Sequence, residues 1–150
     1  MPLEVDDSTD DFIRSHRVAR LATASPQGQP AVVPICYVFD GEHIYTPIDQ
    51  KPKSVEAGLL RRVRNINDNA NIALVIDDYS EDWNELTYVL IIGTAKVMSP
   101  GDSPTEHRLA VVSLREKYRQ YKSMNIDDRP IIKISPVRIK RWKSAEKARQ

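Results

Sequence analysis

The shortages in this chain are the first guide to it. A single cysteine, Cys36, stands among 150 residues, so no disulfide can close within the chain. It lies in an apolar stretch and reads as a buried thiol, with no neighbouring base signature to make it a nucleophile. Lysine and arginine number 22 against 21 acids, which is not the balance of a dedicated nucleic-acid binder. The longest apolar run is "YVLII" at 88–92, far short of the ~20 residues that a membrane-crossing helix needs. The opening "MPLEVDDSTDDF" is acidic and lacks the apolar centre of a secretory leader. A reducing, cytoplasmic setting is therefore expected. The three histidines, His16, His43 and His107, show neither metal-ligand spacing nor a triad pattern, and are expected to be surface or structural groups. Neither G-x-x-x-x-G-K-[ST] nor G-x-G-x-x-G after a strand is present, which disfavours a nucleotide held in either way.

What is present is a succession of short β-rich segments. Asp7, Ser8 and Thr9 offer N-caps for a short first helix. Strands are expected at 17–25, 30–39, 43–48, 71–79, 86–98 and 130–142, where β-branched and aromatic residues gather between turn residues. Asp40-Gly41, set between two apolar runs, is a strong hairpin signal. Pro34 cannot donate to a ladder, so its strand should be an edge or be bulged there. Gly93 is a candidate bulge in the fifth strand. Val55, Leu59, Leu60, Val63 and Ile66 recur near every 3.6 residues and predict a helix over 54–67. A last helix is predicted from Ser103-x-x-Glu106 with Pro104 at its first position, burying Leu109, Val112 and Tyr118. Consecutive strands with tight turns imply antiparallel pairing, and six of them in one domain spanning 1–150 favour a closed or split barrel.

One local feature departs from the bland average. Lys51, Lys53, Arg61, Arg62 and Arg64 crowd into 14 positions where a strand gives way to a helix. Oxyanions are held by cations and by the N–H donors of a helix N-terminus. Lys51 and Lys53 precede the predicted helix, Ser54 can cap it or offer its hydroxyl, and Arg61 can fold back from one to two turns on. A solvated helix face is the ordinary fate of such a run; Arg62 and Arg64 fit it better than the two lysines do.

The segments "RLATASPQGQPAVVPICYVFDGEHIYTPID", "KPK", "LRRVRNI" and "ALVIDDYSEDW", in that order and spacing, resemble the pyridoxamine 5′-phosphate oxidase-like split barrels. Within them, the likeness is to the branch of coenzyme F420 (deazaflavin)-dependent enzymes. The resemblance implies a mainly β fold: a six-stranded antiparallel split barrel with flanking helices, paired as a homodimer with a cofactor in each groove between subunits. It implies that Val33, Pro34 and Ile35 meet the cofactor ring through their backbone, and that Tyr45, Thr46 and Pro47 line the ring and ribityl chain. Lys51 and Lys53 would hold the phosphate, with Ser54 or Arg61, and Trp83 would cover the ring from across the dimer. It implies a cofactor that carries the hydride, either F420 or FMN, and a small organic substrate. The anionic tail of the deazaflavin would suit the extra cations Arg62 and Arg64.

Three other readings remain open at this stage. A non-catalytic module could use the same barrel to hold a flavin or heme. An FMN-dependent pyridoxamine phosphate oxidase-type enzyme is a second, although the ending "VRIKRWKSAEKARQ" does not align with that enzyme's substrate-binding segment. A small-barrel nucleic-acid binder would need more aromatic platforms than Tyr37, Phe39 and Tyr45 supply. The acidic stretch "DDYSEDWNE" lacks calcium-loop spacing and reads as a solvated loop.

Overall fold

A computed structural model describes residues 3–48 and 60–144. Lys51, Lys53 and Ser54 lie outside the described residues. The elements run α1 (Asp7–Ser15), β1 (Ala19–Ala24), β2 (Pro30–Ile35), β3 (Val38–Phe39), β4 (Ile44–Pro47), α2 (Arg61–Asp68), β5 (Asn71–Asp78), β6 (Thr87–Met98), α3 (Pro104–Lys117) and β7 (Ile131–Lys143). The strands form one curled antiparallel sheet in the order β2-β1-β5-β6-β7-β4-β3. This is a half-barrel of mainly β character, as expected, but with seven strands in place of six.

The extra strand comes from a break in the predicted 30–39 segment. Tyr37 is fully buried and leaves the ladder. Its N–H donates to the Tyr118 hydroxyl at 3.0 Å, and its own hydroxyl donates to the Ile13 carbonyl at 2.6 Å. The Tyr118 hydroxyl in turn donates to the Arg17 carbonyl at 2.9 Å. A tyrosine from the distant end of α3 thus satisfies the amide that the strand cannot, which a buried backbone group requires.

Period-2 burial explains the sheet. Leu21 on β1, Leu74 and Ile76 on β5, Val89 and Ile91 on β6 and Ile132 and Ile134 on β7 turn to one side, each no more than 1% exposed. They form the main core with Ile13 of α1 and Val63 and Ile66 of α2. A second cluster lies beneath α3, where Ala110, Val111 and Leu114 meet Tyr45, Met98, Tyr121 and Ile131. Leu109 and Val112, expected to be buried, are 60% and 48% exposed, and the histidine His107 is buried instead. Its Nε2–H donates to the Arg129 carbonyl at 2.7 Å. Apolar residues lie on every side of α3, so spacing alone does not select the buried stripe.

Local chemistry at the ends follows the sequence with small shifts. Asp6, one residue before the expected caps, accepts from the Thr9 N–H at 2.7 Å. Asp40 accepts from the N–H groups of Glu42 and His43 at 2.8 and 2.6 Å, which locks the hairpin while Gly41 takes a φ of 98°. Pro104 opens α3, but the Ser103 hydroxyl makes no cap bond. The α2 helix starts at Arg61, with Leu60 extended ahead of it at ψ 141°; the part of the predicted helix before Leu60 lies outside the described residues.

Candidate functional site

Four residues expected at a cofactor converge on one cavity. Pro34 and Ile35 reach it from β2, and Thr46 and Pro47 from β4; its volume is about 250 Å³. Pro34 can occupy β2 because that strand is the sheet edge, where a missing N–H leaves no ladder partner unpaired. Val18, Cys36 and Tyr121 complete the apolar wall, and Arg62 brings a cation from the first turn of α2. Arg61, the arginine favoured by the sequence, is exposed and does not line this cavity. Starting the helix at Arg61 sets the next residue, not the first, against the strands. Cys36 is half-buried at this wall, not in the core as its apolar surroundings suggest.

The other candidates sit elsewhere. Val33 packs its side chain on the main core. Trp83 is 66% exposed, at the start of a short 3-10 turn whose cap is Asp82, accepting from the Asn84 N–H at 3.1 Å. Three of the four remaining acids of that stretch are engaged singly: Asp77 with Arg20 at 3.0 Å, Asp78 with the His16 ring at 2.7 Å, and Glu81 with the Tyr79 hydroxyl at 3.0 Å. No group of three or more metal-binding side chains gathers among the described residues.

Tyr45 faces a separate pocket of about 680 Å³, shared with Phe39, Glu106 and Leu109. Its hydroxyl donates to Glu106 at 2.5 Å, and the Lys133 ammonium lies 2.6 Å from the same carboxylate oxygen. Burial alone would raise the Glu106 pKa, but the bonds from Lys133 and Tyr45 outweigh it and hold the carboxyl down at about 2 from its usual 4.5. For the phenol the same arrangement acts in the opposite sense. Burial first, then the bond to Glu106, push Tyr45 well above the ordinary tyrosine range. A carboxylate with a depressed folded-state pKa stabilises the protein above its unfolded value and loses that contribution as pH falls. The stability gap between wild type and Glu106→Gln should therefore be full near neutrality and shrink between pH 4.5 and about 2. Urea midpoints measured across that window check this.

The 250 Å³ cavity is smaller than the roughly 300–1,000 Å³ of most small-molecule sites. It has the chemistry of one wall: two prolines and an isoleucine to lie against a flat apolar ring, a threonine, and a guanidinium for an anionic arm. What could close it is suggested by the sheet's outer surface. Val32, Ala22, Ala73 and Ile92 pair across one row, and Pro34, Arg20, Val75 and Leu90 across the next. Beyond them Tyr88 and Trp142 stack with ring centroids 5.6 Å apart. Val32 is 65% and Trp142 40% exposed. A solvated antiparallel face ordinarily alternates to polar residues; this one is largely apolar over four strands, interrupted by the Arg20–Asp77 ion pair, a composition that suits a contact surface. Pro34 belongs to both that face and the cavity, so whatever covers the face lies against the cavity mouth.

The comparisons with known proteins agree with this architecture. The family model described as pyridoxamine 5′-phosphate oxidase matches residues 5–143. A 5a,11a-dehydrotetracycline/5a,11a-dehydrooxytetracycline reductase of Streptomyces rimosus is 31% identical over 91 residues, which are 60% of this chain and 61% of that protein. Two solved structures share the fold. The Vibrio cholerae heme storage protein HutZ is 16% identical with a TM-score of 0.68, over 95% of both chains. An F420 reductase is 19% identical with a TM-score of 0.63, over 91% of this chain and 98% of that one. Given a match along nearly its whole described length and a curled sheet of the corresponding form, the chain belongs to the pyridoxamine 5′-phosphate oxidase family of split barrels.

Proposed function

We propose that this protein is an oxidoreductase that holds a ribityl-phosphate redox coenzyme, F420 in the first instance and FMN as the alternative, in a groove between two copies, and acts on a small organic substrate. The observation that carries the proposal is the convergence of Pro34, Ile35, Thr46 and Pro47 with the Arg62 cation on one incomplete cavity. The Streptomyces rimosus reductase, similar over 91 residues, supports the redox reading. When bound, the coenzyme supplies hydride-transfer chemistry, and the protein supplies orientation, water exclusion and charge. In this assignment Pro34, Ile35 and Pro47 form the apolar floor for the ring, and Lys51, Lys53 and Ser54 hold the phosphate. Arg62 takes the role expected of Arg61, and Trp83 covers the ring from the second copy. No side chain of the groove is required as an acid or base, which suits the scattered histidines.

Mixing the purified protein anaerobically with reduced F420 or reduced FMN and a panel of unsaturated acceptors tests the activity directly. Oxidation of the coenzyme in the presence of protein is the expected result; tight binding without turnover would return the protein to the class of binding modules, and heme titration would then identify that branch. The pairing of copies has its own test. Val32→Asp with Leu90→Asp places two carboxylates on the apolar face, where an unpaired buried charge costs several kcal/mol. Light scattering should give twice the chain mass for wild type and the single-chain mass for the variant. A monomeric wild type would remove the shared groove.

A further inference from the structure

A second concentration of positive charge, unrelated to the 51–64 cluster, lies where α3 ends. Arg17, Lys117, Arg119 and Lys122 line an open pocket of about 460 Å³ with a single acid, Glu116. Among the described residues none of the five belongs to a salt bridge, and the exposed Arg119 and Lys122 make no side-chain hydrogen bond. The Arg17 guanidinium is fixed in place, donating to the Lys117 carbonyl at 2.5 Å and lying 5.6 Å from the centre of the Tyr118 ring. The Lys117 ammonium is buried without a hydrogen-bond acceptor, 4.1 Å from the centre of the Tyr37 ring. Burial, and then the nearby Arg17, lower its pKa to about 8 from 10.5.

Four cations around one carboxylate repel one another, in a chain that carries a net charge of only +1. Solvated lysines and arginines ordinarily spread apart or pair with acids. Here Arg17 and Lys117 are held close by the Arg17 bond to the Lys117 carbonyl and by two buried tyrosine rings, and the exposed Arg119 and Lys122 stand beside them. An arrangement that keeps uncompensated cations together is one that an oxyanion would stabilise. We propose that Arg17, Arg119 and Lys122, backed by Lys117, form a binding site for the phosphate or carboxylate group of a small anionic molecule. The chain neighbours of two of these residues, Val18 and Tyr121, line the cavity assigned above to the coenzyme, so the bound anion would sit beside that cavity. The anion site itself does not depend on the coenzyme assignment.

The test is calorimetric titration of the coenzyme-free full chain at low ionic strength, with inorganic phosphate in one arm and succinate in the other. The two arms distinguish the sources of the oxyanion. Saturable binding is expected in at least one, weakening as salt is added. Arg119→Ser with Lys122→Ser, two exposed positions whose replacement leaves the core intact, should weaken it by about tenfold or more. In Lys51→Ala with Lys53→Ala, which removes the phosphate contacts assigned to the coenzyme, the saturable binding lost by the Arg119/Lys122 variant should remain. The proposal is overturned if neither anion binds, if the Arg119/Lys122 variant binds as wild type does, or if only the Lys51/Lys53 variant loses binding. Unchanged unfolding midpoints in both variants confirm that affinity, not folding, is being read.

Discussion

Lys51→Ala combined with Lys53→Ala is expected to weaken coenzyme affinity by roughly two to four orders of magnitude, because each charge-assisted contact to a phosphate is worth about 1.5–3 kcal/mol. The loss should be almost entirely electrostatic. Raising the salt concentration should weaken the wild type towards the variant, since charges in contact with solvent ions are screened over about 10 Å at 0.1 M. Arg62→Ala should add a smaller loss and Arg61→Ala almost none, because Arg62 lines the cavity and Arg61 faces solvent. Fluorescence titration of all four proteins ranks these effects. An unchanged affinity in the double lysine variant would take the 51–54 segment out of the site.

The largest effect on stability is expected at Gly93. On β6 it faces Pro136 of β7, and the register slips between Ile92 and Gly93 so that Val137 has no partner opposite it. A Cβ at Gly93 would stand 2.3 Å from the Ser135 carbonyl oxygen and 3.0 Å from the Pro136 Cα. Both obstacles are backbone atoms, and neither can rotate away as a side chain would. Gly93→Ala therefore has to pry apart the longest strand pair in the sheet, at a cost of about 3 kcal/mol, the upper end of ordinary overpacking. Chemical denaturation should show the lowered midpoint, while Gly101→Ala, with nothing within 4 Å of the added carbon, serves as the control with little change.

Gly93 also illustrates how far the sequence could be read. A glycine inside a run of valine and isoleucine signals a bulge because no other residue gains by standing there. Strand identities were legible because β-branched and aromatic residues gather between turn residues, as in "NIALVIDDY" at 71–79, and that signal needs no tertiary information. The break at Tyr37 was not legible. It depends on a hydroxyl delivered by Tyr118, 81 positions away, and nothing local in "VVPICYVF" announces it. The buried stripe of α3 was misread because Leu109, Val112, Val111 and Leu114 offer two competing faces, and only the position of β3 and β4 chooses between them.

At the candidate site the same distinction holds. Pro34 marks an edge strand by its missing N–H, but the convergence of Pro34, Ile35, Thr46 and Pro47 on one cavity could be anticipated only through the family resemblance. Which arginine turns inward could not be. Residues 61, 62 and 64 carry the same charge, and the choice follows from a helix that begins at Arg61 after an extended Leu60. The apolar outer face was equally hidden, since Ala22, Ala73, Val75 and Leu90 look like core residues until the sheet shows which side of it they occupy.

The most direct test is equilibrium titration of the purified protein with F420 and, separately, with FMN, followed by absorbance and fluorescence. The proposed function predicts saturation by at least one of them at one coenzyme per chain, with the protein running at twice its single-chain mass. A chain that remains single and leaves the spectra of both coenzymes untouched would contradict the account.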